Sequence, residues 1–217
     1  MFRDQAHAEE VMGCSVFPAP LGNVTKLKSD GTLKHRLIQD LKANSVNKAV
    51  SLTERQVLPR GVDHARDIAI LQESRRDGEE VSVLIIDFKN AFLSVPLHAS
   101  ERRFNCARIP EGISRGREPM DDDEPLEGKF VVWQVLGFGG KPNPLLFARV
   151  ASVAIRTGQA LFGASRKSEH ALVRCQLYVD DPAVTVCGDA ASTESAMDIL
   201  ILWWLCLGVP MAWKKGS

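Results

Sequence analysis

The sequence predicts an α+β fold. Three observations carry that reading: a β-branched apolar run ending in an acid (VSVLIID, residues 81–87), an amphipathic helical stretch at 144–162, and an order of strand, helix, hairpin and helix beside a basic, β-rich N-terminal part. At 217 residues the chain can form one ordinary domain, or two small lobes sharing a core, without covalent staples.

Residues 1–22 show no clear period and end in the turn-rich FPAPLG, so they read as a lead-in segment. KSDGT at 28–32 is the loop of a hairpin that feeds a strand, LKHRLIQDL, at 33–41. A short helix follows at 62–74, with Ile68 and Leu71 at helical spacing and Asp77-Gly78 closing it. Residues 81–87 read as a buried central strand that delivers Asp87 to the edge of a sheet. Further strands are expected at 130–136 and 173–179. Helix 144–162 places Pro144 in its first turn, lines Arg149, Ser152, Arg156 and Gln159 along one polar stripe, and ends at Gly163. A second helix runs from about 191 to 207, and the stretch 111–128, with DDDE at 121–124, is an acidic surface loop.

Formal net charge is zero, which argues against a uniformly basic nucleic-acid binder. The distribution softens that objection. Residues 23–76 hold eleven Lys or Arg against six Asp or Glu, whereas 111–127 hold seven acids against two arginines, so one lobe is basic and one loop acidic. Cys14, Cys106, Cys175, Cys187 and Cys206 stand far apart with no C-x-x-C pair, which disfavours a zinc site and predicts reduced thiols in an intracellular protein. No signal peptide opens the chain, and the longest apolar run, 199–209, is shorter than the ~20 residues a membrane span needs, so no membrane is expected among its partners.

The chemistry centres on three aspartates: Asp87 at the end of one apolar strand, and Asp180 and Asp181 after another. Ionised neighbours at the end of an apolar strand repel unless a cation neutralises them, and an oxygen-only set favours Mg²⁺ or Mn²⁺. A hairpin turning at Asp180-Asp181, laid beside the strand that ends in Asp87, would gather all three in a two-metal phosphoryl-transfer geometry. Taken alone, the YVDD tetrapeptide at 178–181 reads equally well as a plain polar turn.

Four motifs in order resolve that ambiguity by resemblance to reverse transcriptases. DFKNAF at 87–92 resembles the first palm motif, an aspartate followed five positions on by an aromatic. LGFGGKPNPLLF at 136–147 is similar to the gypsy-type LPFGLxNAPxTF, YVDD at 178–181 to the YxDD box, and LGVPMAWKK at 207–215 to the motif running from a glycine to a lysine. Upstream, KSDGTLKHR at 28–36 with Asp40, Leu41 and Asn44 resembles the fingers pattern K-x-D-G-x-x-R…D-x-R-x-L-N. The likeness covers about residues 26–215. It departs at Gly137, where the family has proline; at KPN, 141–143; at Lys42, where it has arginine; and at Pro182, where it has an aliphatic residue.

The resemblance implies a polymerase palm, an antiparallel sheet backed by helices, at residues 81–217, a small β-rich fingers part at 23–80, and no thumb, connection or RNase H region. It implies an RNA-directed DNA polymerase of an LTR retrotransposon of gypsy-like type, extending a primer on an RNA or DNA template with dNTPs and two Mg²⁺ or Mn²⁺ ions, alone or with other parts of a retroelement polyprotein. By the same resemblance Asp87 and Asp180 ligate both metals with Asp181 in support. Lys28 and Arg36 grip the β- and γ-phosphates, Phe92 lies beneath the deoxyribose, and Phe138 and Gly139 meet the template or nucleotide. Tyr178 touches the primer end, and Lys215 protonates the leaving pyrophosphate. Two rivals stand beside this reading. One is a silent retroelement fragment that keeps the fold and weak nucleic-acid affinity; the other is a polymerase making RNA, for which the bulky Phe92 is the wrong residue.

Overall fold

The computed structural model describes residues 1–27, 31–110, 128–162, 172–209 and 211–212. In chain order the elements are α1 (Gln5–Met12), β1 (Leu21–Leu27), β2 (Leu33–Gln39), α2 (Val46–Ala49), α3 (Gly61–Glu73), β3 (Glu80–Ile85), a 3-10 turn (Ala91–Ser94), α4 (Ala99–Arg102), β4 (Cys106–Arg108), β5 (Phe130–Val132), α5 (Asn143–Ala160), β6 (Leu172–Tyr178), β7 (Asp181–Gly188) and α6 (Ala190–Cys206). Helices mixed with antiparallel sheets make this the α+β fold that the sequence predicts. The chain divides into two compact units, each built from two stretches: Met1–Thr53 with Val95–Asn143, and Glu54–Ser94 with Pro144–Ser217.

In the first unit, β1 and β2 form an antiparallel hairpin in register from Leu21↔Gln39 to Leu27↔Leu33, and nearly all its residues are exposed. The core lies elsewhere, where Ala8 and Val16 pack with Cys106 and Phe130 of the β4–β5 pair. Residues 1–22, which show no period, therefore hold a helix and core side chains. Asp4 caps α1 by accepting the His7 N–H at 2.8 Å, Gly13 closes it at φ 65, and Phe2 exchanges main-chain bonds with Phe130. A helix of 8 residues is too short to show a period but long enough to be capped at both ends.

The second unit is a three-stranded antiparallel sheet in the order β3-β7-β6, with α3 and α6 packed on β7. β7 is the central strand, buried from Pro182 through Gly188. β3 is an edge: Val83 and Ile85 are 48% and 73% exposed, so the run 81–87 is not the buried central strand its composition suggests. The buried Asp67 of α3 ties that helix to β6, accepting from Gln176 Nε2 at 2.7 Å and from the Arg174 guanidinium at 3.3 Å. α5 and α6 approach closely at Gly158, where a Cβ would press on Leu200 and Trp204. Trp203 and Trp204 fix that contact by donating to the Thr157 hydroxyl and the Ala154 carbonyl. Asp189 caps α6 by accepting the Ser192 N–H at 2.8 Å.

Cys106 and Cys175 are buried, and burial pushes their thiols up to about 11 and about 12, as expected for thiols packed as small hydrophobes. No disulfide joins any of the five cysteines. Among the described residues no helix is long and apolar enough to cross a membrane.

Candidate active site

The β6–β7 hairpin closes on the pair Tyr178↔Asp181, so its two loop residues are Val179 and Asp180. The turn falls one position earlier than the expected Asp180-Asp181, and Asp181 is the first residue of β7. Val179 occupies the left-handed region at φ 59. A β-branched side chain there costs on the order of 1–3 kcal/mol. That strain sits immediately before the two aspartates.

Pro182 pairs with Leu177 inside the central strand, and its carbonyl accepts the Ile86 N–H at 3.0 Å. Lacking an N–H, it cannot return the bond, and the regular β3–β7 ladder ends at Ile85↔Ala183. Beyond that point the Phe88 N–H donates to the Asp180 carbonyl at 3.1 Å. On the other side the Ala212 N–H donates to the Asp87 carbonyl at 2.8 Å, and Phe88 bridges to Met211. The main chain at Asp87 and Phe88 is thus flanked by the hairpin loop and by the segment that follows α6. Asp87, Asp180 and Asp181 share one end of one sheet, each half-buried.

Phe88 anchors this end: it is 2% exposed and meets Trp204 edge to face at 5.6 Å. The chain then turns through Asn90 at φ 53 into the 3-10 turn that carries Phe92. The Phe92 ring packs against Phe147 of α5, with centroids 5.4 Å apart. Tyr178 is 53% exposed.

Among the described residues no group of three or more His, Cys, Asp or Glu side chains is gathered closely enough to hold a metal ion. The three aspartates offer carboxylate oxygens only, the donors that hard divalent ions take, and the main chain sets Asp87 beside Asp180. In kind and placement they fit such an ion, while their side chains form no closed cluster.

In the first unit the Arg36 guanidinium lies 5.8 Å from the centroid of the Phe138 ring, a cation–π distance. The Gln39 N–H donates to the Phe138 carbonyl at 3.0 Å. At Gly139, with φ 115, any Cβ would collide with the Gln39 carbonyl oxygen, so close approach of β2 requires glycine there. Two asparagines that the sequence did not single out hold this loop. Asn47 donates to the Gly139 carbonyl at 2.9 Å and accepts the Lys141 N–H at 2.8 Å. Asn143 donates to the Gly137 carbonyl at 2.7 Å. Asn143 stands within a Gly/Pro-rich motif that hints at a structured turn, but Asn47 is 92 residues from Gly139 and carries no local signal. Lys28, Lys215, Gly163 and residues 111–127 lie outside the described residues.

An antiparallel sheet backed by helices, with carboxylates at its hairpin end, is consistent with a polymerase palm. The family pattern described as Reverse transcriptase (RNA-dependent DNA polymerase) matches residues 27–217, and the chain belongs to that family. It is by that membership an RNA-directed DNA polymerase, a nucleotidyltransferase of a family that binds template, primer and dNTP and uses divalent metal ions. No curated protein matches the chain closely enough to count as a relative.

Proposed function

We propose that this chain is the fingers and palm core of a reverse transcriptase of gypsy-like LTR-retrotransposon type, with fingers at 23–80 and palm at 81–217, working beside other parts of a retroelement polyprotein. The observation that supports it best is the bond from the Phe88 N–H to the Asp180 carbonyl, which joins the DFKNAF and YVDD motifs at one sheet end. Asp87 and Asp180 are the residues that would hold two divalent ions, Mg²⁺ or Mn²⁺, with Asp181 in support. When bound, the ions supply a lowered pKa at the primer 3′-hydroxyl and charge compensation at the pyrophosphate.

The chain's own residues do the positioning. The primer 3′-hydroxyl gives up its proton to solvent, its oxygen bonds to the α-phosphorus of the dNTP as the Pα–O bond to the β-phosphate breaks, and pyrophosphate leaves with a proton from Lys215. Lys28 and Arg36 hold the β- and γ-phosphates, and the Phe138 ring, with Arg36 at cation–π distance, and the Gly139 main chain face the template or nucleotide. Tyr178 steadies the primer terminus, and Phe92 sits under the sugar. Template is held through phosphates and duplex shape, so binding is salt-sensitive and sequence-tolerant.

Primer extension on poly(rA)·oligo(dT) with dTTP, with Mg²⁺ and separately with Mn²⁺, tests this reading. Template-dependent product with either ion supports it. A folded protein that binds the duplex and makes no product with both ions is the silent retroelement fragment instead.

A further inference from the structure

The last two turns of α6, ILILWWLC at 199–206, offer no polar face. A helix that is apolar all round belongs in an interior, yet this one is covered on one side only. Leu200 and Trp204 are buried toward α5, where the Ala154 carbonyl accepts from Trp204 and Gly158 lies against Leu200. Those two contacts run in opposite sense along the helices, so α5 and α6 are antiparallel. On the outer side Leu202 is 61% exposed, and Val153 of α5 is equally so.

The hydrogen bond from Trp203 to Thr157 marks the outer seam between the two helices, which belong to the same compact unit. Helical spacing orders the side chains outward from that seam. On α5, Val150 and Val153 stand seven and four positions before Thr157 and share its side, with Arg149 and Arg156 further round. On α6, Ile199 stands four positions before Trp203, with Leu202 further round and Asp198 and Glu194 beyond it. The four apolar side chains are exposed, and so are the four charged ones. Arg149 is neutralised by Glu54 at 2.6 Å, whereas Arg156, Asp198 and Glu194 form no ion pair among the described residues. From edge to edge the face therefore runs positive, apolar, negative.

That pattern complements itself. A two-fold axis parallel to the helices lays α5 of one copy on α6 of the other, so that apolar stripes meet and Arg156 of each copy approaches Asp198 of the other. A two-fold axis across the helices would set like charges together. We propose that the outer face of α5 and α6 is an isologous dimer interface whose partner is a second copy of this chain. Contiguous exposed apolar surface with a charged rim suits such a contact. The inference does not rest on polymerase activity.

Analytical ultracentrifugation of the full chain over a concentration series tests it, with a melting curve for each variant. The chain should be a dimer at about 50 µM and dissociate on dilution. Leu202→Asp, at an exposed position, should weaken association at least about tenfold without unfolding the chain. Arg156→Glu and Asp198→Arg each set like charges together and should dimerise about tenfold more weakly. Mixed in equal amounts, these two variants should pair with each other at about the unsubstituted affinity, because every rim charge again meets its opposite. They carry the test even if Leu202→Asp does not fold. Cys206, on the same outer side of α6, should react with a thiol reagent more slowly at about 50 µM chain than at about 0.5 µM. A monomer at about 50 µM, unchanged association in Leu202→Asp, failure of the two charge variants to pair, or equal Cys206 rates would each overturn the proposal.

Discussion

The main-chain N–H of Phe88 donates to the carbonyl of Asp180 at 3.1 Å, across 92 positions of sequence, at the point where Pro182 stops the regular ladder between the two strands. Because that bond is between main-chain atoms, substitution of the neighbouring carboxylates leaves it in place. Side-chain variants at Asp87 and Asp180 therefore read chemistry more than folding.

Phe92 offers a test of sugar selection. Its ring rests on Phe147, and if it also floors the sugar site, Phe92→Val opens room for a ribose 2′-hydroxyl that the ring face otherwise excludes. The ratio of kcat/KM for UTP to that for dTTP on one template should rise by at least about tenfold, while stability falls by about 1–3 kcal/mol from the lost packing. A drop in both activities at an unchanged ratio would make Phe92 a packing residue only.

Gly139→Ala separates backbone demand from substrate contact. The added Cβ meets the Gln39 carbonyl oxygen at a φ of 115, where L side chains are strained, and the loss should exceed about 2 kcal/mol. The adjacent Gly137→Ala presses on the end of the Gln39 side chain, which can shift, and should cost clearly less. Thermal melts of both variants check the order; equal melting temperatures would mean that the Gln39 contact does not constrain this loop.

The buried thiols predict a one-sided alkaline sensitivity. Burial raises Cys106 to about 11 and Cys175 to about 12 from the ordinary 9.0 of a thiol, so between these limits the unfolded chain releases protons that the folded chain keeps. Stability from this source is complete below about pH 9 and declines as pH rises through 11 and 12, by about 1.4 kcal/mol per pH unit for each thiol. Cys175→Ala should flatten the fall of melting temperature between pH 9 and 10.5 relative to the unsubstituted chain. The same slope in both would show that Cys175 is not held protonated. Cys206, which is exposed, should react with a disulfide reagent at pH 8 while Cys106 and Cys175 stay protected.

Strong local periods made much of the fold legible. The expected strand at 173–179 appears as Leu172–Tyr178, and the expected helices at 144–162 and 191–207 appear as Asn143–Ala160 and Ala190–Cys206. What composition could not distinguish was centre from edge. A β-branched run looks the same in both, and the actual central strand, β7, carries Pro182, a residue that argues against such a place. The expected strand at 130–136 shrinks to Phe130–Val132, because after Trp133 the chain leaves β4 and pairs instead with residues 95–97, where the Gln134 carbonyl accepts the Leu97 N–H and the Leu136 N–H donates to the Val95 carbonyl. At the candidate site, the ends of apolar strands marked the aspartates, but nothing local marks Val179 as the residue at φ 59. Contacts such as Asn47 with Gly139 belong to the packed chain and not to any window of it.

The most direct test is primer extension by Asp180→Asn beside Asp77→Asn, an exposed aspartate after α3 that serves as control. Asp180→Asn should lower extension by at least about a hundredfold in Mg²⁺, while duplex affinity stays the same or tightens slightly, since one negative charge near the phosphates is gone. Asp77→Asn should extend at the unsubstituted rate. Extension by Asp180→Asn equal to that of Asp77→Asn would contradict a carboxylate-held metal centre at the end of this sheet.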